Sequence, residues 1–326
     1  MKVLIAGGAG YIGSHCVKMM MNLGYEVVVV DNLSTGHQKS IDTQLYIGDI
    51  RDVKFLDSVF QKEDIDLVIH FCAKSLVGES VQKPLDYFDN NVFGTLQLLQ
   101  AMKKANVNKI VFSSSAAVYG EHEVMPITED YPTIPTNPYG ETKLMMEKMM
   151  MWAEKAYGLK YVSLRYFNVA GAYESGQIGE DHHPETHLIP LVLEVALGKR
   201  DKISVFGNDY PTKDGTCIRD YIHVSDLIEA HILASQYLMN NEQSQIFNLG
   251  SETGFSVLEI IEAAKQVTNM DLPYQVVTRR PGDPAKLIAS SAKIKNILGW
   301  EPKKSINEIV QDAWKWHSLH PNGYEK

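Results

Sequence analysis

The sequence predicts an α/β protein: a Rossmann-type doubly wound parallel sheet joined to a second, smaller mixed α/β domain. Three observations predict it. Short runs rich in Val and Ile alternate with longer segments of helical period, as in a parallel sheet covered by helices on both faces. The first run opens straight onto a glycine-rich turn. Past residue 170 the alternation lapses into a loop over residues 171–184 whose Gly, Pro, Glu and His content has no period. At about 150 residues per domain, 326 residues make two. A dinucleotide-binding domain is therefore expected over residues 1–170 and a substrate domain over 171–326.

Taken in order, the first strand is Val3-Leu4-Ile5-Ala6, which runs into Gly7-Gly8-Ala9-Gly10-Tyr11-Ile12-Gly13 and then a helix. Without β-carbons at Gly7, Gly10 and Gly13 the turn can be tight, and a pyrophosphate can approach the N–H groups and positive end of the helix. The second strand, residues 26–31, ends at Asp31, whose carboxylate can accept hydrogen bonds from both hydroxyls of an adenosine ribose. A 2′-phosphate would be repelled there, and Asp31-Asn32-Leu33-Ser34-Thr35-Gly36 holds no arginine to neutralise one, so the expected cofactor is NAD. Further strands are expected over residues 45–48, 67–71, 110–114 and 162–165, with helices in the gaps. Residues 221–224, the helical run after Ser225 and residues 246–249 again read as strand, helix and strand. Parts near 221–250 are thus expected to return to the first domain.

Composition narrows the function classes. Forty acidic against thirty-one basic side chains give a net charge of −9, which argues against a nucleic-acid partner. Cys16, Cys72 and Cys217 are odd in number and far apart, fitting neither a disulfide framework nor a thiolate zinc site, so a reducing cytoplasm is expected. The apolar run at the N-terminus is too short for a signal-peptide core, and no run reaches the ~18 residues that would span a bilayer. Methionine clusters at residues 19–21 and 145–151 are read as filling core or interface gaps.

A proton-transfer pair lies in Tyr139-Gly140-Glu141-Thr142-Lys143, which begins a helical run after Pro138. Four residues apart, Tyr139 and Lys143 share a face, and a neighbouring cation together with a positive nicotinamide favours the phenolate needed for a general base. Upstream, the strand Ile110-Val111-Phe112 ends in Ser113-Ser114-Ser115, which places Ser115 at a carboxyl strand edge where it can hydrogen-bond the reacting oxygen.

Gly7, Gly10, Gly13, Asp31, Ser115, Tyr139 and Lys143 together resemble the extended short-chain dehydrogenase/reductases. Longer strings narrow the resemblance: residues 77–84 (Val-Gly-Glu-Ser-Val-Gln-Lys-Pro), 165–168 (Arg-Tyr-Phe-Asn), 206–212 (Phe-Gly-Asn-Asp-Tyr-Pro-Thr) and 215–224 (Gly-Thr-Cys-Ile-Arg-Asp-Tyr-Ile-His-Val) are similar to those of the UDP-glucose 4-epimerase family from about Lys2 to Tyr324. The resemblance implies a tightly held NAD that takes hydride from C4 of a UDP-hexose while a tyrosinate takes the hydroxyl proton. The 4-keto sugar then turns over and is reduced on its other face. Carried over, Tyr139 is the base, Lys143 lowers its pKa and meets the nicotinamide ribose, and Ser115 bonds the 4-oxygen. Tyr11, Ile12, Asn32, Asp49, Ile50, Phe71, Asn90 and Phe167 would also meet NAD. Asn168, Arg219 and Arg280 would lie near the diphosphate, Phe206 near uracil and Asp283 near the uridine ribose. Two arginines suit a diphosphate through forked hydrogen bonds. A homodimer through segments 85–104 and 141–157 is also implied.

Three positions depart from the family pattern. Ser75 stands where a lysine often meets the nicotinamide ribose, and His187 stands where asparagine often meets the diphosphate. Leu287 stands where epimerases restricted to plain hexoses carry tyrosine, which implies room beside the sugar C2 for UDP-N-acetylglucosamine and its galacto epimer. The cluster His182-His183-Pro184-Glu185-Thr186-His187 has the look of a metal site, but histidines near a phosphate or solvent are the simpler reading, and no metal is expected. Among alternatives, a 4,6-dehydratase would need an Asp-Glu pair where Ala116-Ala117 follows Ser115, and a non-catalytic NAD sensor would have little use for Ser115, Tyr139 and Lys143 together. A 4-epimerase of a uronic-acid or pentose nucleotide shares the catalytic trio.

Overall fold

A computed structural model describes residues 1–240, 243–280 and 283–324; Pro281 and Gly282, inside the segment 280–287, lie outside it. The first half alternates β1 (Lys2–Ala6), α1 (Tyr11–Asn22), β2 (Glu26–Asp31), β3 (Gln44–Ile47), α2 (Val53–Lys62), β4 (Leu67–His70), α3 (Val77–Gln82), α4 (Pro84–Tyr87), α5 (Gly94–Lys104), β5 (Lys109–Ser113), α6 (Pro138–Tyr157), β6 (Lys160–Tyr166) and β7 (Asn168–Ala170). The second half adds α7 (Leu188–Ala196), β8 (Ile203–Phe206), β9 (Ile218–Arg219), β10 (Tyr221–His223), α8 (Val224–Asn240), β11 (Gln245–Leu249), β12 (Phe255–Ser256), α9 (Val257–Thr268), β13 (Tyr274–Val277), β14 (Lys286–Leu287), α10 (Ala292–Leu298) and α11 (Ile306–Leu319).

Seven strands form one parallel sheet in the order β11-β6-β5-β4-β1-β2-β3. Because neighbouring side chains on a strand point to opposite faces, Val3, Ile5, Val27 and Val29 join α1 and α8 in one core, while Leu4, Val28, Val30 and Phe112 join α2, α5 and α6 in the other. Chain order reverses between β1 and β4, and ligands of such sheets gather in the crevice at that reversal. The return of the chain is divided. β11 pairs with β6 and completes the sheet, with Phe247 and Leu249 in its core, as its apolar run led us to expect. Residues 221–223 instead pair with β7 in a separate two-stranded sheet, because β7 leaves β6 after Tyr166 and offers its own edge.

A third core, built from α7, β8, α9 and α11, holds the rest of the second half together. Its sheets are small: β13 pairs with β8, and β9 lies between β12 and β14. The methionines of α6 divide as their periodicity dictates. Met146 and Met150 are fully buried against the sheet, Met149 is partly buried, and Met145 faces outward. Among the described residues no helix is long and apolar enough to cross a membrane.

Candidate active site

At the end of β1 the chain turns through Gly7, whose φ of +84° suits glycine, and a Cβ there would sit 2.8 Å from the Cys72 amide nitrogen. A Cβ on Gly13 would come within 2.8 Å of Gly8 Cα and closer still to the Gly7 carbonyl. Both glycines are therefore required by the turn itself. Gly10 differs, since its Cβ would meet only the Gly7 oxygen at 3.5 Å. It caps α1 without a side chain, so the first N–H groups of that helix, at Tyr11, Ile12 and Gly13, have neither a side-chain cap nor an intrahelical partner. This cradle fits a pyrophosphate. Asp31 completes it: one carboxylate oxygen accepts from Ala9 N at 2.9 Å and the other from Leu33 N at 2.8 Å, and burial pushes its carboxyl pKa up. The acid thus braces the glycine turn while keeping lone pairs for a ribose.

The other residues assigned to the cofactor surround this crevice with different degrees of engagement. Asn32 donates to Asp49, which the Arg51 guanidinium holds well below the usual carboxylate range through contacts at 2.7 and 2.9 Å. Ile50 is buried, Ile12 packs on the sheet, and Phe71 lies against the His231 ring at 4.9 Å. The Tyr11 hydroxyl donates to the Gly171 carbonyl, tying the glycine helix to the second half. Asn90 donates to Asn91, a fully buried residue that bonds both backbone groups of Lys74 and the Thr142 hydroxyl. Asn91 had no local signal in the sequence, yet it fixes the loop after β4 to the helix that carries Lys143. Ser75 itself is exposed.

The three serines after β5 face three ways. The Ser113 hydroxyl bonds the Tyr166 phenol at 2.6 Å, and its carbonyl accepts from Lys143 Nζ at 2.8 Å. Ser114 donates to Glu147 at 2.6 Å. Ser115 accepts from Ala117 N at 3.1 Å and sits beside the Tyr139 phenol, whose pKa it draws down. The structure therefore joins Ser115, Tyr139 and Lys143 as their spacing predicts. Asn137 caps α6 through Gly140 N with Pro138 in its first turn, and a Cβ on Gly140 would overlap the Ala117 carbonyl, so glycine there lets Tyr139 approach Ser115.

Burial pushes the Tyr139 phenol up, partly offset by Ser115, and pushes Lys143 down to about 7. Lys143 Nζ lies 5.9 Å from the centroid of the Tyr139 ring and donates its hydrogen bond to the Ser113 carbonyl, so desolvation is the larger influence on the phenol. Behind the trio lies a buried network that the sequence did not disclose. Glu147, one turn beyond Lys143, takes two bonds from Arg165 at 2.9 and 2.6 Å, and Arg165 reaches through Tyr119 to Asn248.

On the second half, Arg219 pairs with Asp283, and the Arg280 guanidinium lies over the Phe206 ring at 4.0 Å. Asn168 donates to the Asp220 carbonyl, and Leu287 stands beside Arg219 in the β14–β9 register. Leu287 and Phe167 both pack against the apolar cluster of Ala116, Val118, Tyr119, Ile127 and Leu144, which joins the substrate side to the turn after Ser115. His187 departs from its expected setting. Its Nδ1 meets Glu180 at 2.5 Å and Glu185 at 3.5 Å, and the two carboxylates outweigh the partial loss of hydration around this half-exposed ring and raise its pKa to about 9.

A glycine-bound helix start, an acid at the end of β2 and a Ser-Tyr-Lys trio at the end of β5 define a dinucleotide-linked enzyme of the extended short-chain dehydrogenase/reductase class. A family model described as GDP-mannose 4,6 dehydratase matches residues 4–313. The UDP-glucose 4-epimerase of Halalkalibacterium halodurans is 57% identical over 99% of this chain and 98% of its own. A crystal structure of a UDP-glucose 4-epimerase superposes with a TM-score of 0.98 at 56% identity, covering 100% of both chains. That of the Bifidobacterium longum UDP-glucose 4-epimerase in complex with NAD+ and UDP gives 0.95 at 41%, covering 99% of this chain and 100% of that one. The chain belongs to the UDP-glucose 4-epimerase family.

Proposed function

We propose that this protein interconverts UDP-glucose and UDP-galactose at C4, with NAD as a resident cofactor. The observation that carries the reading is Ser115 set beside the Tyr139 phenol and Lys143, and followed by Ala116 and Ala117 rather than the acid pair that elimination requires. Bound NAD supplies a hydride acceptor and donor at C4 and a second positive charge beside the phenol. Tyr139 takes the 4-hydroxyl proton and returns it after the 4-keto sugar has turned over, while Ser115 holds the 4-oxygen between the two half-reactions. Lys143, fixed on the Ser113 carbonyl, orients the nicotinamide ribose. Gly7, Gly10, Gly13 and Asp31, with their neighbours around the crevice, hold the dinucleotide.

The same reading gives residues 1–170 to NAD and 171–326 to the UDP-sugar, with the 221–250 region shared. Arg219, Arg280 and Asn168 neutralise the diphosphate, Phe206 meets uracil and Asp283 the uridine ribose. In the chain without a bound ion, His187 joins them once its ring leaves Glu180. Leucine at 287 leaves the side of the sugar C2 open, so the N-acetylated pair is accepted as well. A homodimer forms through segments 85–104 and 141–157, where Phe93 just before α5, Leu96 on α5, and Met145 and Trp152 on the neighbouring α6 are exposed apolar side chains. The protein works in the cytoplasm.

The test is chromatographic: protein without added NAD is incubated with UDP-galactose and, separately, UDP-N-acetylgalactosamine, and the nucleotide sugars are resolved. Conversion of both that Tyr139→Phe abolishes is the expected result. Failure to convert UDP-galactose even after NAD is supplied overturns the reading.

A further inference from the structure

We propose that Glu180, His182, Glu185 and His187 form a binding site for one divalent transition ion of the zinc type, in the loop ahead of α7. The epimerase reading is not needed for it. One donor atom from each of the four residues lies within 4.8 Å of the other three. Carboxylate and imidazole alternate around the ring: His187 Nδ1 is 2.5 Å from Glu180 and 3.5 Å from Glu185, and His182 Nδ1 is 3.1 Å from Glu180 and 3.9 Å from Glu185. The two Glu185 distances are to different oxygens, Oε1 beside His187 and Oε2 beside His182; donors set tetrahedrally about zinc at ~2.0–2.1 Å lie ~3.3–3.4 Å apart, so Glu185 turns one oxygen, Oε2, to the ion. An ion enters by parting His187 from Glu180 and drawing His182 towards Glu185.

The donor set fixes the class of ion. Two imidazole nitrogens and two carboxylate oxygens suit zinc and the late first-row metals, whereas magnesium and calcium prefer oxygen alone. Charge agrees with it. The Glu180 and Glu185 side chains are only 3% and 9% exposed, and among the described residues only these two histidines form ion pairs with them. A dication held by neutral imidazoles balances both carboxylates. Outer contacts already orient the acids: Glu185 Oε1 accepts from the N–H groups of Thr186 and His187 at 2.6 and 2.8 Å, and the Glu180 carbonyl accepts from the Trp316 indole at 3.1 Å. His183, between the ligands in sequence, turns away to Asp181 with its side chain 77% exposed and takes no part.

The test uses the whole protein, stripped with EDTA and desalted, then titrated with zinc, cobalt or magnesium chloride and followed by calorimetry and elemental analysis. One zinc per chain is expected, with visible bands of four-coordinate cobalt and no magnesium retained. His182→Gln and Glu185→Gln should each weaken zinc binding at least about tenfold, while His183→Gln leaves it unchanged. Absence of bound zinc, zinc binding that survives both ligand substitutions, or binding lost with His183→Gln overturns the proposal. Should one ligand variant fail to fold, the other variant and the cobalt spectrum of the unaltered chain still decide it.

Discussion

The two sides of the crevice are built to different standards. The proton-transfer trio stands on five-residue β5 and twenty-residue α6, backed by the Glu147–Arg165 pair whose side chains are 4% and 5% exposed. The side proposed to hold the diphosphate stands on β9 and β14, two residues each, with Arg219 and Asp283 paired at partial exposure. Buried ion pairs on long elements fix atoms to a fraction of an ångström, while short strands and partly exposed pairs can shift with their ligand. The chemistry is the same for every sugar and tolerates no movement. Under the proposed reading, recognition of the sugar differs between substrates and gains from some.

The largest expected effect tests whether chemistry resides wholly on the rigid side. Tyr139→Phe should lower kcat by about 10²–10⁴, with the amount of NAD carried through purification unchanged; a loss below tenfold would show that another group moves the proton. Next comes the brace behind it. Glu147→Ala leaves the Arg165 charge buried without its partner and should cost about 3–5 kcal/mol in denaturant unfolding, whereas replacing both residues with apolar ones of similar volume should cost much less. Equal losses from the two would remove the argument for a buried pair.

On the adaptable side, Arg219→Lys keeps the charge but loses the fork, so KM for UDP-galactose should rise about tenfold with kcat within a few-fold of the unaltered enzyme. A fall in kcat to match that of Tyr139→Phe would erase the contrast between the two sides. A finer test follows from Lys143. Its pKa is pushed from the ordinary lysine value down to about 7, so between pH 7 and pH 9 the folded chain binds fewer protons than the unfolded one, and stability rises with pH. Cofactor-free protein should gain at most about 1 kcal/mol per pH unit over that window relative to Lys143→Met. The smallest change is Leu287→Tyr, which should reduce turnover of the N-acetylated substrate several-fold and leave UDP-galactose nearly untouched.

The same contrast governs what the sequence could disclose. Strands such as β1, β2 and β5 are continuous apolar runs buried on both faces, and a run of Val and Ile announces itself. β9 and β14 have two residues each and exist only because their neighbours pair with them, so no periodicity marks them. Tyr139 and Lys143 were legible because one helical turn separates them, and Ser115 because it follows a buried strand. Glu147 and Arg165 lie eighteen residues apart on different elements, and Glu180 meets His187 only after the loop folds back. Contacts of that kind carry no spacing to read. The direction of burial's effect on Tyr139 and Lys143 was hidden for the same reason, since desolvation depends on everything around a group.

The late arrival of β11 also has a consequence for biosynthesis. β6 is complete at Tyr166, but the strand that covers its open edge begins only at Gln245, about 80 residues later. At ribosomal speeds of about 5–20 residues per second, the nascent chain spends about 4–16 s with six strands of its sheet made and one long edge unpaired. Such an edge is a template for any other extended chain nearby. A ribosome stalled between these strands, or a message cut short there, would release a nearly finished sheet whose exposed border invites aggregation.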